Sequence, residues 1–345
     1  MILKEVRRSF FFILAFFLIM AGCHGAYEFK TERYSETRSL MATYALLDVC
    51  LDQDHKDEAA AAYQEAWQRL EDISWRMNVY DERSDVTKVN QSYGRPVTIG
   101  ADTYKVIKDA VDFYYRTKGA FDITVWPLIE LWEDGEKKGV IPSQEEIAYV
   151  KEALGVDKIH LLAGNTVELL HPRTKIDLGG IAAGYALDET AGIFRRHGLE
   201  NFYFDIGGDI YAGGHNCQGK AWRIGIRDPR DSKQIIDIVA LADKGITTSG
   251  NYQHYYKINH QRWSHIMNTI TGYPQQGVVS ATVIAPTAED ADVLATALCV
   301  LGQKAGVDVL QRFQGEYASL VVFLQDEEDI LKSPSRLYKK FQAKN

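Results

Sequence analysis

The sequence contains none of the short signatures that usually announce nucleotide or hydrolase chemistry. There is no GxxxxGK[ST], no GxGxxG between a strand and a helix, no GxSxG and no HExxH. A Walker-type phosphate loop, a dinucleotide-binding fingerprint, a serine-hydrolase elbow and a zincin helix are therefore excluded. Positive charge is also in short supply. With a net charge of −8 and no basic stripe interleaved with aromatics, the chain does not read as a nucleic-acid binder. An acidic protein can still take a polyphosphate where a metal ion supplies the charge locally. Cysteine is sparse, with Cys23, Cys50, Cys217 and Cys299 the only four and no metal-type spacing among them. Once Cys23 is assigned to the N-terminal signal described below, the odd remainder indicates no disulfide framework. Solenoid-period repeats and low-complexity linkers are missing as well. A chain of 345 residues, 46% hydrophobic and 25% charged, has ample material for a buried core.

The N-terminus reads as an address. Lys4, Arg7 and Arg8 form a basic start, and Phe10–Met20 is an apolar run too short to span a membrane comfortably. It ends in Met20-Ala21-Gly22-Cys23, which resembles a bacterial lipobox. The expectation is a signal peptide over residues 1–22, lipidation at Cys23, and a polar tether over 23–39. Residues 40–345 would be the folded domain, exported and held at a membrane surface facing the periplasm or exterior.

Within that domain the chain is organised around Lys175–Asp188, KIDLGGIAAGYALD. Lys175–Leu178 reads as the end of a short buried strand broken by Gly179-Gly180. Ile181, Tyr185, Leu187, Ile193 and Phe194 then recur at helical spacing. Ala182, Ala183, Gly184 and Ala186 keep the helix thin enough for a close neighbour. Free N–H groups at such a helix start suit a phosphate, and a bare glycine carbonyl can face a cation. A tight turn packed on the core explains the same residues.

Elsewhere, Leu40–Cys50 reads as a first strand, Asp57–Met77 as an amphipathic helix and Asp102–Lys118 as a second helix stopped by Gly119. Ala120–Leu128 is a β-rich run that Pro127 keeps out of a sheet centre. Ser143 with Glu146 caps a third helix, and Ile159–Leu162 with Val167–Leu170 make a hairpin. Strands follow at 202–206, 210–212, 222–226, 235–241, 245–249, 280–285 and 320–324. A helix capped by Thr287 covers 288–301. Helices and strands are mixed without strict alternation, so the fold class is α+β in one domain.

Several residues could carry chemistry. Asp292 and Thr296 stand four apart and share a helix face, offering two hard oxygens suited to Mg²⁺. The helix dipole and a back-bonded threonine account for the same pair, which alone decides nothing. Asp205 and Asp209 bracket Gly207-Gly208 in a turn. Gly245–Tyr252 reads as a loop rich in hydroxyl and N–H donors. Tyr80 follows a helix end, and His265 precedes a turn at Thr271–Pro274.

Taken in order, these stretches resemble one family, the ApbE-type flavin transferases. The matching runs are Met41-Ala-Thr43, Arg76–Asp81, Gly119–Val125, Asp177–Tyr185, Phe204–Asp209, Trp222–Pro229, Thr247–Gly250, His265–Met267, Thr271–Pro274 and Ala291–Ala297. The resemblance implies a T-fold-like mixed α/β domain that moves FMN from FAD onto a protein Thr or Ser, releasing AMP with Mg²⁺ as cofactor. It implies that Asp292, Thr296 and the Gly180 carbonyl hold the metal. FAD contacts would fall at Met41, Tyr80, Ala120, Phe121, Asp122, Asp177, Ala183 and Met267, with His265 as the candidate base. The implied partners are FAD and a flavin-acceptor protein of the membrane or cell exterior. Two rival readings remain, an FAD pyrophosphatase on the same site and a lipoprotein that stores FAD. The chain departs from the family's His-x-x-Asp-Pro-Arg/Lys-Thr-Gly by carrying Asn268 and Ile270. It also carries Ala42 in place of the usual glycine, and Ala183 where Lys or Glu is common.

Overall fold

The computed structural model describes residues 31–343 apart from 52, 232, 252–254 and 325–328. The expected signal peptide, Cys23 and the first part of the tether lie outside the described residues.

Backbone pairing begins earlier than the sequence reading allows. Residues 32–39, expected to be tether, belong to β1 (Glu32–Leu40), which pairs antiparallel with β2 (Thr43–Leu51). The pattern was hidden because β1 is an edge strand, exposed along most of its length, so no apolar alternation marks it. Met41 and Ala42 form the two-residue turn between them, with φ of 49° and 58°.

The chain continues through α1 (Lys56–Arg76), α2 (Asp85–Asn90), β3 (Val97–Thr98) and α3 (Ala101–Arg116). The run expected as an edge strand is instead a 3-10 turn, Ile123–Val125, leading into α4 (Trp126–Lys138). Pro127 explains the outcome, since it occupies the first turn of α4, where its missing N–H costs nothing. The capping box of Ser143 and Glu146 opens α5 (Gln144–Lys151) as expected. The small hairpin is β4 (Ile159–Leu162) and β5 (Thr166–Leu169). Next come α6 (Ala182–Arg196), β6 (Phe202–Ile206), β7 (Asp209–Gly213), β8 (Trp222–Arg227), β9 (Ile235–Leu241) and β10 (Lys244–Gly250). Short ladders β11 (Tyr255–Ile258), β12 (Gln261–Ser264), β13 (Met267–Asn268) and β14 (Tyr273–Pro274) precede β15 (Val278–Ala285). The chain closes with α7 (Ala288–Leu310), β16 (Ala318–Leu324), β17 (Ile330–Pro334) and α8 (Tyr338–Phe341). Gly302 interrupts α7 at φ 70° and ψ −178°, immediately after the predicted helix end at Leu301.

The centre is an eight-stranded antiparallel sheet in the order β1-β2-β6-β7-β10-β15-β16-β17. Alternation along each strand divides it into two faces. Leu47 and Val49 of β2, Phe202 and Phe204 of β6, Tyr211 of β7 and Val283 of β15 share one core with α1, α6 and α7. Ile210, Ala212, Ile246, Ile284 and Leu320 face the other way, under the β8–β9 hairpin and α8. The fold is α+β, with the long helices α1, α6 and α7 gathered on one face of an antiparallel sheet.

One close approach positions everything that follows. A Cβ on Gly184 would stand 2.5 Å from the Ala288 carbonyl oxygen. The small-residue stripe of α6 thus lets the start of α7 lie directly on it. Asp188 completes the junction by accepting the Ala288 and Glu289 N–H groups, each at 2.9 Å. Cys50 and Cys217 form a disulfide across 167 residues, correcting the expectation that none was indicated. Their pairing is set by where β2 ends beside the turn after β7, which local spacing does not reveal. Cys299 is buried and free, as expected.

Candidate active site

The organising stretch is not a strand. Ile176 is held at both ends by the Asn90 amide, which accepts its N–H at 2.7 Å and donates to its carbonyl at 2.9 Å. The Asp177 N–H donates to the Ile123 carbonyl at 2.8 Å. These bonds satisfy an extended backbone without a sheet neighbour, which explains why buried, β-rich residues here form no ladder. They also pin the segment to the Gly119–Val125 turn. In that turn Thr117 Oγ1 accepts the Phe121 N–H at 3.1 Å, and Asp122 accepts both the N–H and the hydroxyl of Thr124, at 2.8 and 2.6 Å.

The result is a cavity of 350 Å³. Ala120, Phe121, Asp122, Asp177 and Gly180 line it from one side, and His265 and Met267 from the β12–β13 region. Asp292 and Thr296 line it from α7. Nine predicted residues from four separate stretches therefore meet in one place. Met41, Tyr80 and Ala183 do not line it. Met41 sits in the β1–β2 turn, half-buried against the main core, and Ala183 packs on that core from the first turn of α6. Tyr80 is 73% exposed and stands edge-on to Trp126, ring centres 5.2 Å apart. Partial burial, with the carboxylates of Glu133 and Asp177 nearby, pushes the phenol up.

Thr296 Oγ1 lies 3.2 Å from Ser249 Oγ and 3.7 Å from where a Gly180 Cβ would stand. Asp292 is buried in a helix that is apolar on nearly every side, and accepts one N–H, from Gly184, at 3.3 Å. Burial pushes its carboxyl well above the usual range, and the Asp209 carboxylate adds to the effect. Asp209 is itself pushed up to about 7, first by burial. The groups acting on this pair are carboxylates, a hydroxyl and an N–H, with no cation among them. Among the described residues no three His, Cys, Asp or Glu side chains gather into a metal cluster. A carboxylate, a hydroxyl and a glycine carbonyl make instead a mixed set of hard oxygens, matched to a cation such as Mg²⁺ that keeps few protein ligands. Two buried carboxylates without a counter-charge fit such an ion.

Asp209 was read from sequence only as part of a turn, and register shows its other role. Along β7, Tyr211 faces the helices and Ile210 the hairpin, which puts Asp209 on the helix side. Asp205 faces the hairpin side, where it accepts the Gly208 N–H at 2.8 Å and holds the turn. The strand expected at 245–249 is the central strand β10, whose donor-rich end brings Thr248, Ser249 and Gly250 to the cavity. Thr269 also lines it and had no sequence signal. Where the family pattern is broken, Asn268 Oδ1 accepts the Ile270 and Thr271 N–H groups at 3.0 and 3.1 Å, so the turn survives without the carboxylate. Ile270 is exposed, and Lys151 Nζ donates to its carbonyl at 2.6 Å.

An antiparallel sheet with the long helices on one face thus carries a cavity lined by hard oxygens where α6 and α7 meet it. The chain belongs to the ApbE family, whose model matches residues 41–321. It is 30% identical over 342 residues to the FAD:protein FMN transferase of Vibrio cholerae, covering 98% of this chain and 100% of that one. The FAD:protein FMN transferase of Haemophilus influenzae is 32% identical over 285 residues, 80% of this chain and 82% of that protein. The ApbE protein of Thermotoga maritima superposes with a TM-score of 0.81 at 32% identity, covering 91% of this chain and all of that one. The flavin transferase ApbE of Vibrio cholerae gives 0.79 at 29% identity, over 90% and 99% of the two chains.

Proposed function

We propose that the protein is an Mg²⁺-dependent FAD:protein FMN transferase. The observation that carries this reading is the buried Asp292–Asp209 pair beside Thr296 and Gly180, a site that calls for a divalent cation. The names of the relatives support the flavin substrate.

Asp292, Thr296 and the Gly180 carbonyl would hold the ion, and when bound Mg²⁺ supplies the positive charge that a pyrophosphate lacks in an acidic protein. The chain's own residues do the positioning. Ala120–Asp122 and Asp177 form the wall against which the flavin end lies, with Tyr80 and Trp126 beyond it as an aromatic rim. A threonine or serine of the acceptor attacks the FMN phosphorus. One P–O bond forms to its Oγ, the P–O bond to AMP breaks, and the hydroxyl proton passes to a base, for which His265 on the cavity wall is the candidate. Catalysis rests on orientation and charge placement. Lipidation at Cys23 and an exported location belong to the same proposal. A Cys50–Cys217 disulfide supports an oxidising compartment.

The test is incubation with FAD, Mg²⁺ and a recombinant flavin-acceptor domain, followed by in-gel fluorescence and mass spectrometry. A fluorescent acceptor heavier by one FMN, with matching AMP, is the expected result. Free FMN with an unlabelled acceptor overturns transfer in favour of hydrolysis.

A further inference from the structure

A threonine in a helix has two ways to place its hydroxyl. It can turn back to a carbonyl of the preceding turn, or point away from the helix. Two threonines of this chain turn back. Thr117 donates to the Phe113 carbonyl at 2.7 Å just past α3, and Thr190 donates to the Ala186 carbonyl at 2.8 Å within α6. Thr296 does otherwise. The carbonyl four residues before it belongs to Asp292, yet among the described residues its hydroxyl has one hydrogen-bond partner, the Ser249 hydroxyl at 3.2 Å. It therefore points off α7 toward β10, at the cavity that both side chains line. Gly180 is on the same side, with Thr296 Oγ1 3.7 Å from where a Cβ would stand on it.

The surroundings of Ser249 fix it for this contact. Ser249 lies opposite Ala281 of β15, and Ala281 is buried in the core shared with the long helices. Directly opposed residues of an antiparallel pair share a face, so Ser249 faces α7. Thr248 faces the other way, its hydroxyl 2.8 Å from that of Thr282. The Cys299 thiol, three residues along α7 from Thr296, donates to the Ser249 carbonyl at 3.4 Å. Strand and helix are thus joined at this residue twice, by its side chain and by its main chain.

Either hydroxyl of the Ser249–Thr296 pair can donate. A cation beside Thr296 Oγ1 decides between them, because it takes a lone pair and repels the proton. We propose that Ser249 is a positioning residue of the metal site. Its Oγ accepts the Thr296 proton and keeps the Thr296 oxygen turned to the cavity rather than to its own helix. The proposal rests on the reading above, in which Thr296 holds Mg²⁺ with Asp292 and the Gly180 carbonyl. Without the Ser249 hydroxyl, Thr296 turns back to the Asp292 carbonyl, as Thr190 does to Ala186, and one of the three ligands is lost.

The experiment titrates the full chain with Mg²⁺ alone, without FAD, by calorimetry. Wild type, Ser249→Ala and Ser249→Thr are compared, each shown to be folded by denaturant titration with chelator. Ser249→Ala should raise the Mg²⁺ Kd about tenfold, the lower end of what losing a ligand's outer hydrogen bond does. Ser249→Thr keeps a hydroxyl and should restore it. A crystal structure of metal-free Ser249→Ala should show Thr296 Oγ1 within hydrogen-bond distance of the Asp292 carbonyl, a change that a loss of packing alone would not produce. An unchanged Kd in Ser249→Ala, an equal loss in Ser249→Thr, or a Thr296 hydroxyl still directed at β10 in the Ser249→Ala crystal overturns the positioning role. A wild type that binds no Mg²⁺ overturns it together with the metal site. The expected Kd values in a chain that never labels an acceptor with FMN would instead defeat the transferase reading and leave the role of Ser249 standing.

Discussion

Replacing Asp292 by asparagine isolates the metal site, because the amide keeps the shape and removes the charge. Asp292 and Asp209 are both held above the ordinary carboxylate range, first by burial. Asp209 stands at about 7 against an ordinary 3.8. Each pH unit of such a rise disfavours the ionised form by about 1.4 kcal/mol in the metal-free chain. The sign follows from proton binding. A carboxyl raised in the folded state contributes stability that is complete below its unfolded pKa and is lost as pH rises through the folded one. The metal-free protein should therefore lose stability between about pH 4 and pH 8, and Mg²⁺ should restore it, by about 2.7 kcal/mol at a hundredfold excess over Kd. Asp292→Asn removes one of two like charges. The variant should fold, lose less stability over the same pH interval, and show neither Mg²⁺ stabilisation nor AMP release. Denaturant titrations at both ends of that range, with chelator and with Mg²⁺, measure all of this. Wild-type Mg²⁺ stabilisation and turnover in a folded Asp292→Asn protein would refute the assignment.

Three further outcomes are expected. Tyr80→Asn removes an aromatic edge worth about 0.5–1.5 kcal/mol, so FAD should bind about two- to tenfold more weakly by fluorescence titration, with more free FMN relative to labelled acceptor. Cys217→Ser should lower stability to denaturant by about 2–4 kcal/mol, the usual loss for a long disulfide loop, and the same shift should follow reduction of the wild type. Ala42→Gly should gain about 1 kcal/mol, since φ of 58° is a left-handed conformation in which an L side chain is disfavoured; an unchanged or lower denaturation midpoint would show that this turn carries no such strain.

The parts of the fold that were legible in sequence are those in which one short-range rule decides the outcome. The capping box at Ser143, the hairpin around Gly164-Asn165 and the Thr287 cap each need only a few adjacent residues, and each stands as read. The misreadings share a different cause. β1 is polar because it lies at a sheet edge, Ala120–Leu128 is β-rich yet turns helical at Pro127, and Lys175–Leu178 is buried yet satisfied by the Asn90 side chain. In each the deciding partner is distant in sequence. The Cys50–Cys217 pair is the extreme instance, since nothing near either cysteine names the other.

The site divides along the same line, and the division explains why Asp209 was passed over while Asp292 was not. Asp292 shares a helix face with Thr296, a spacing visible in a few residues, although the helix dipole and a back-bonded threonine explain it as well and only the family resemblance assigned it a metal. Asp209 follows two glycines, where an aspartate is ordinary turn chemistry. Its part becomes visible only when strand register turns Asp205 to one face of the sheet and Asp209 to the other, the first holding the turn and the second facing α7. A pair of carboxylates separated by one glycine corner thus serves two faces of one sheet.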